Sequence, residues 1–200
     1  NNQIKFDKDM RSKSLSMSKK VRHRGPDWSG IYSSENAILA HERLSIVDIK
    51  SGRQPIFSND KKLVLTVNGE IYNHQYFRDS ETINYKFQTN SDCEVIIPLY
   101  KNHGAKMLNM INGIFAFFLY DSNNNSFFVA RDPIGVIPLY MGKDSNGTIY
   151  FSSEMKCLVG NCKKIKEFPP GHFMTNKNQN PKKYYSKNWM EYEKVKNYSS

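Results

Sequence analysis

The sequence predicts an α+β protein in which antiparallel strands dominate. Residues 112–121 and 126–132 are apolar, largely β-branched or aromatic runs on either side of Asn123-Asn124-Asn125, the signature of a hairpin. Similar paired runs with polar corners recur at 31–44, 139–152 and 173–185. The helical signals, at 7–21 and from Ser91 onward, fall between these strand groups, which points to layered α+β architecture instead of a βαβ alternation.

Residues 7–21 carry Met10, Leu15, Met17 and Val21 among Lys, Arg and Ser, the pattern of an amphipathic surface helix. Residues 22–30 form a loop around Gly25-Pro26-Asp27 that crowds Arg22, His23 and Arg24 together. Two flanking arginines disfavour protonation of His23, and no cysteine or serine partner stands nearby, so it reads as structural. Strands at 31–32 and 37–44 meet at residues 33–36 and bring Arg43 to a strand end. There its guanidinium suits a small carboxylate held bidentately, or an ion pair with Glu42 or Asp48.

After a loop at 51–55, residues 63–67 form a buried strand that stops at Asn68-Gly69. That dipeptide is either a tight turn or a corner where a side-chain amide and a backbone N–H converge on one oxygen, an oxyanion hole in outline. Ser91 and Glu94 read as a capping box that starts a helix, with Val95, Ile96, Leu99 and Tyr100 on its buried face and Pro98 shortening or kinking it. Asp92 then occupies a first turn, where the macrodipole keeps a carboxylate ionised and able to hold an ammonium group. Cys93 has to be weighed as a nucleophile, but no base lies near it in sequence and it reads as core. A short helix at 153–158, a turn at 168–171 and the hairpin at 173–185 complete the chain.

Two hundred residues suit one domain. The net charge of +10 comes from 22 lysines against 7 arginines, scattered and without a recognised motif, so no nucleic-acid partner is expected. The longest apolar run, 114–120, is too short to span a bilayer and the start lacks a signal segment, so no membrane partner is expected. Cys93, Cys157 and Cys162 have neither disulfide-framework nor zinc spacing, which points to a reducing cytoplasmic compartment and to no metal. The sequence starts at Asn1, not Met, and a preceding segment is expected.

In order along residues 21–172, H-R-G-P-D-W-S-G, L-A-H-E-R-L-S-I-V-D, V-N-G-E-I-Y-N-H, S-D-C-E-V, N-G-I-F-A-F, A-R-D-P-I-G-V-I-P-L-Y, S-S-E-M-K and E-F-P-P-G-H resemble the glutaminase domain of glutamine-dependent asparagine synthetases, a class II glutamine amidotransferase. The resemblance implies an N-terminal-nucleophile hydrolase fold, a four-layer sandwich of two mostly antiparallel sheets between helical layers. It implies attack of a cysteine thiolate on the side-chain amide of L-glutamine, release of ammonia, and its use in amidating aspartate. Asn68 and Gly69 would hold the oxyanion, Arg43 the α-carboxylate and Asp92 the α-ammonium, with Leu44, Ser45, Ile46, Val47 and Glu70 lining the pocket. The family nucleophile, an N-terminal cysteine on a first strand, does not match any residue of this chain. The expectation is therefore a single domain over 1–200 lacking its first strand, inactive as it stands, with an ATP- and magnesium-dependent synthetase domain after residue 200 as partner. No cofactor is implied for residues 1–200, and a homodimer is allowed for the full protein. Cys157, where the family more often has a small apolar residue, reads as harmless. A non-catalytic glutamine-binding or regulatory module on the same scaffold is the other reading.

Overall fold

A computed structural model describes residues 8–44, 53–80 and 84–187. Helix α1 (Lys8–Lys19) leads through a 3-10 turn, Arg22–Arg24, into the hairpin of β1 (Trp28–Ser33) and β2 (Ile38–Arg43). A six-stranded antiparallel sheet follows in the order β11-β10-β6-β5-β4-β3. Its strands are β3 (Ile56–Phe57), β4 (Leu63–Ile71), β5 (Gly113–Asp121), β6 (Ser126–Arg131), β10 (His172–Thr175) and β11 (Lys182–Lys183). A third sheet, ordered β8-β7-β9, consists of β7 (Tyr140–Lys143), β8 (Ile149–Ser152) and β9 (Lys164–Glu167). Helices α2 (His74–Arg78) and α3 (Ile96–His103) lie between β4 and β5 in sequence.

The period of two along β4 and β5 sorts their side chains between two cores. Leu63, Leu65, Val67 and Ile71 of β4, with Phe115, Phe117 and Leu119 of β5, pack on the helical side against Phe77, Val95, Ile96, Leu99 and Met107. On the opposite face, Ala116 packs with Val129, Leu139, Met141 and Phe168 beneath the β7–β9 sheet, and Val64 and Tyr120 pack with Ala37 and Leu39 beneath the β1–β2 hairpin. Helix α1 crosses both smaller sheets from outside. Ser18 donates to Glu42 of β2 at 2.8 Å, while Lys13 donates to the Tyr150 hydroxyl of β8 at 3.0 Å. The layers therefore run helix, paired small sheets, large sheet, helices, as expected from the resemblance.

Three expectations need correction. Asn68-Gly69 is not a turn: β4 continues through both residues to Ile71, with Asn68 opposite Ala116 and Gly69 opposite Phe115. Glycine is required there because φ is +138° and a side chain would strike the Ile114 carbonyl of β5. The helix expected from Ser91 begins instead as a 3-10 turn, Asp92–Val95, and becomes α3 only at Ile96. Ser91 makes no side-chain cap, and the buried Glu94 carboxylate accepts the N–H groups of Gln88 and Thr89 at 2.7 and 2.8 Å and the Thr89 hydroxyl at 2.7 Å. Pro98 thus sits in the first turn of α3, where a missing N–H costs least. Finally, β3, β9 and α2 had not been anticipated.

Candidate active site

Strand β2 forms a ladder only with β1, apart from one bridge between Arg43 at its end and Pro26, and β8 pairs only with β7, among the described residues. Both edges border a cavity of about 1060 Å³ whose wall also includes Met10 and Met17 from α1, Val21 just after it, and Thr66, Val67, Asn68 and Gly69 from β4. An unpaired edge is a template for another strand, and here two such edges share one slot under a helix that buries none of its own residues.

The expected site residues gather at this cavity. Arg43, Leu44, Asn68, Gly69, Glu70 and Asp92 all line it, whereas Ser45, Ile46 and Val47 lie outside the described residues. Alternation along β2 separates Glu42 from Arg43. Glu42 faces α1, where burial pushes its carboxyl up but hydrogen bonds from Ser29, Ser18 and Arg22 outweigh that and hold it low. Arg22 lies 2.8 Å from it, so the ion pair considered between Glu42 and Arg43 is made by Glu42 with Arg22 instead. Arg43 is buried on the face shared with Leu39 and His41. Burial, helped by the Arg43 charge and opposed by Glu42, pushes the His41 imidazole down to about 4, which leaves it neutral at pH 7.

Asn68 continues the Val64 and Thr66 face of β4, half-buried, and its side-chain amide has no hydrogen-bond partner among the described residues. Gly69 follows on the outer edge. Val67 is held on that edge by Gln54, whose carboxamide accepts the Val67 N–H and donates to the Val67 carbonyl, both at 2.8 Å. The β3–β4 register, Ile56 opposite Leu65, would place residue 54 opposite Val67, so a side chain completes a ladder rung there. Ile71 is held by Asp92, whose Oδ2 accepts its N–H at 2.7 Å. By the alternation of an antiparallel ladder, Gly69 turns its N–H to the same edge between these two anchors. Asp92 is thus oriented by a backbone donor of β4 and not by the macrodipole of a long helix.

Cys93 is buried and its thiol is pushed up by burial and by the neighbouring Asp92 and Glu70 charges, which fits a protonated core residue and not a nucleophile. His23 lies at the cavity rim, 3.3 Å from Glu154, beside the Arg24–Glu154 and Lys156–Glu154 pairs. Gln54 had no periodic or motif signal in the sequence; only the register reveals its part. Among the described residues, no group of three or more His, Cys, Asp or Glu side chains is placed to hold a metal ion, and no helix is long and apolar enough to cross a membrane.

Residues 2–167 match the glutamine amidotransferase domain. The chain belongs to that family. It is 52 % identical over 188 residues to asparagine synthetase B [glutamine-hydrolyzing] of Escherichia coli (strain K12), covering 94 % of this chain and 34 % of that protein. It is 49 % identical over 183 residues to a probable asparagine synthetase [glutamine-hydrolyzing] of Dictyostelium discoideum, covering 90 % and 33 %. This amidotransferase chain thus spans about a third of the length of the curated relatives it matches. Among solved structures, glutamine phosphoribosylpyrophosphate amidotransferase from B. subtilis superposes with a TM-score of 0.71 at 21 % identity, covering 88 % of this chain and 47 % of that one. An allosteric regulatory enzyme of purine biosynthesis superposes with a TM-score of 0.62 at 25 % identity, covering 75 % and 35 %. The N-terminal-nucleophile type sandwich expected from the motifs is the fold.

Proposed function

We propose that this chain is the glutamine-hydrolysing part of an asparagine synthetase, acting in the cytoplasm and delivering ammonia to an ATP-dependent domain of the same polypeptide. The observation that carries this is the Asn68 amide, without a partner among the described residues, beside the positive-φ Gly69 and facing a slot bordered by the β8 edge and by the β2 edge ahead of Arg43, neither of which has a ladder partner there among the described residues. A strand bearing an N-terminal cysteine fits that slot between β2 and β8. Its α-amine takes the thiol proton, and the thiolate forms a C–S bond to the amide carbon of glutamine while the carbonyl electrons move onto oxygen. Asn68 and the Gly69 N–H donate to that oxyanion. Collapse breaks the C–N bond, the nitrogen takes up the proton and leaves as ammonia, and water cleaves the thioester to glutamate and free thiol.

Arg43 and Asp92 line one cavity with charges of opposite sign, a match to the α-carboxylate and α-ammonium of a free amino acid and a poor match to a peptide. Leu44 and Glu70 are assigned to the same pocket, and Ser45, Ile46 and Val47 join them by resemblance alone.

The test is ammonia release from glutamine. Residues 1–200 are expected to give none, and the protein with the preceding strand and a free N-terminal cysteine is expected to turn over. In that active protein Asn68→Ala is expected to lower kcat about a hundredfold to a thousandfold with a smaller change in KM. Turnover by residues 1–200 would mean that another group attacks. Glutamine binding without turnover by the restored protein would favour a non-catalytic binding module.

A further inference from the structure

We propose that Cys93 is a positioning residue for glutamine, its single S–H shared between the Asp92 carboxylate and the Gly69 carbonyl and so tying the two in their ligand-ready orientation. The inference rests on the reading of Asp92 as the α-ammonium clamp. Cys93 Sγ lies 3.6 Å from the Gly69 carbonyl oxygen and 3.6 Å from Asp92 Oδ2. The same Oδ2 accepts the Ile71 N–H at 2.7 Å. One carboxylate oxygen therefore faces two donors, while Asp92 Oδ1 has no partner among the described residues and Asp92 lines the cavity. A carboxylate anchored through one oxygen presents the other in a fixed direction, which is what a charge clamp needs and what a freely rotating aspartate lacks.

The second acceptor matters as much. Gly69 is held at φ +138°, and its carbonyl is on the β4 edge that faces the 3-10 turn Asp92–Val95. With Ile71 fixed by Asp92 and Gly69 fixed by Cys93, two consecutive side chains of that turn fasten both sides of the Glu70 peptide. The Gly69 carbonyl and the ammonium clamp are thereby tied together, while the Gly69 N–H, on the preceding peptide, is left to the oxyanion. Burial and the adjacent carboxylates keep the thiol protonated, so it remains a donor. Cys93 is also 3 % exposed within the core that contains Val95 and Phe115, so a packing role has to be separated from a positioning one.

The separation uses the full-length glutamine-hydrolysing protein and steady-state ammonia release. Cys93→Ala is expected to raise the glutamine KM about tenfold with kcat within about threefold, as for loss of an interaction made equally in ground and transition states. Cys93→Ser, which keeps a donor, is expected to bring KM back to within about threefold of the parent. In the Asp92→Asn background, Cys93→Ala is expected to add less than about twofold, because the group it orients no longer carries the charge. If Cys93→Ala does not fold, Cys93→Val replaces it as the donor-free variant in the same contrast with Cys93→Ser. Parallel losses in both variants, full additivity with Asp92→Asn, or an unchanged KM in Cys93→Ala would overturn the proposal. If Asp92→Asn itself leaves KM unchanged, the glutamine-site reading fails; if it raises KM and Cys93→Ala does not, only the role of Cys93 fails.

Discussion

Asp92 and Asp132 both lie beside a strand end and both accept backbone N–H groups, yet their carboxylates end in opposite conditions. Asp132 is fully buried, and its Oδ1 accepts from Ile134, Gly135 and Val136 at 3.2, 2.6 and 3.0 Å while Oδ2 accepts from Ile137 at 3.0 Å. Its neighbour Arg131 braces the same loop through the carbonyls of Ile137 and Gly135 and ties it to the Phe168 carbonyl after β9. Glu94 is consumed in the same way by three donors from residues 88 and 89. Asp92 uses one oxygen and keeps the other open to the cavity. Neither the residue type nor the presence of a backbone donor separates framework from site; the remaining acceptor capacity does.

The sharpest challenge to this contrast is Asp132→Ala, which strips four N–H groups of their acceptor. A loss of about 3 to 5 kcal/mol in chemical unfolding is expected, and a value near zero would mean that water replaces the carboxylate without cost. Glu94→Gln should follow at about 2 to 3 kcal/mol, since an amide can accept through one atom only and turns an NH₂ toward donors. Smallest should be Asp92→Asn, below about 1 kcal/mol, because its oxygen still serves the Ile71 N–H. If its midpoint drops as far as that of Asp132→Ala, the division between framework and site carboxylates does not hold. Arg43 does not belong with Asp92 in this respect. Arg43 is 7 % exposed, so its truncation carries a folding cost beside any loss of binding.

Much of the fold was legible because alternation and turn chemistry agree along the hairpins. The 112–121 and 126–132 runs became β5 and β6 joined at residues 122–125, and 139–152 became β7 and β8. What was not legible depends on partners far away in sequence. β3 is two residues long, and β9, Lys-Ile-Lys-Glu, has only one apolar residue; each exists because a neighbouring strand offers it an edge. Asn68-Gly69 carries turn chemistry, yet the close approach of the Ile114 carbonyl makes that glycine a strand residue. Ser91 and Glu94 have capping-box spacing, but Glu94 reaches outward to the preceding loop. At the candidate site the motif resemblance named residues that line one cavity, while the Gln54 rung and the Cys93 contacts appear only with the coordinates.

Helix α1 has a consequence for how the molecule opens. It buries no residue, and its ties to the sheets beneath include Ser18 to Glu42 and Lys13 to Tyr150. Twelve residues are marginal as an isolated helix in water, so its persistence depends on what lies beneath it. α1 is therefore a local unfolding unit separate from the large sheet. Whatever packs on Met10, Met17 and Val21 from the cavity side therefore also protects the amides of α1, and the two become one cooperative event.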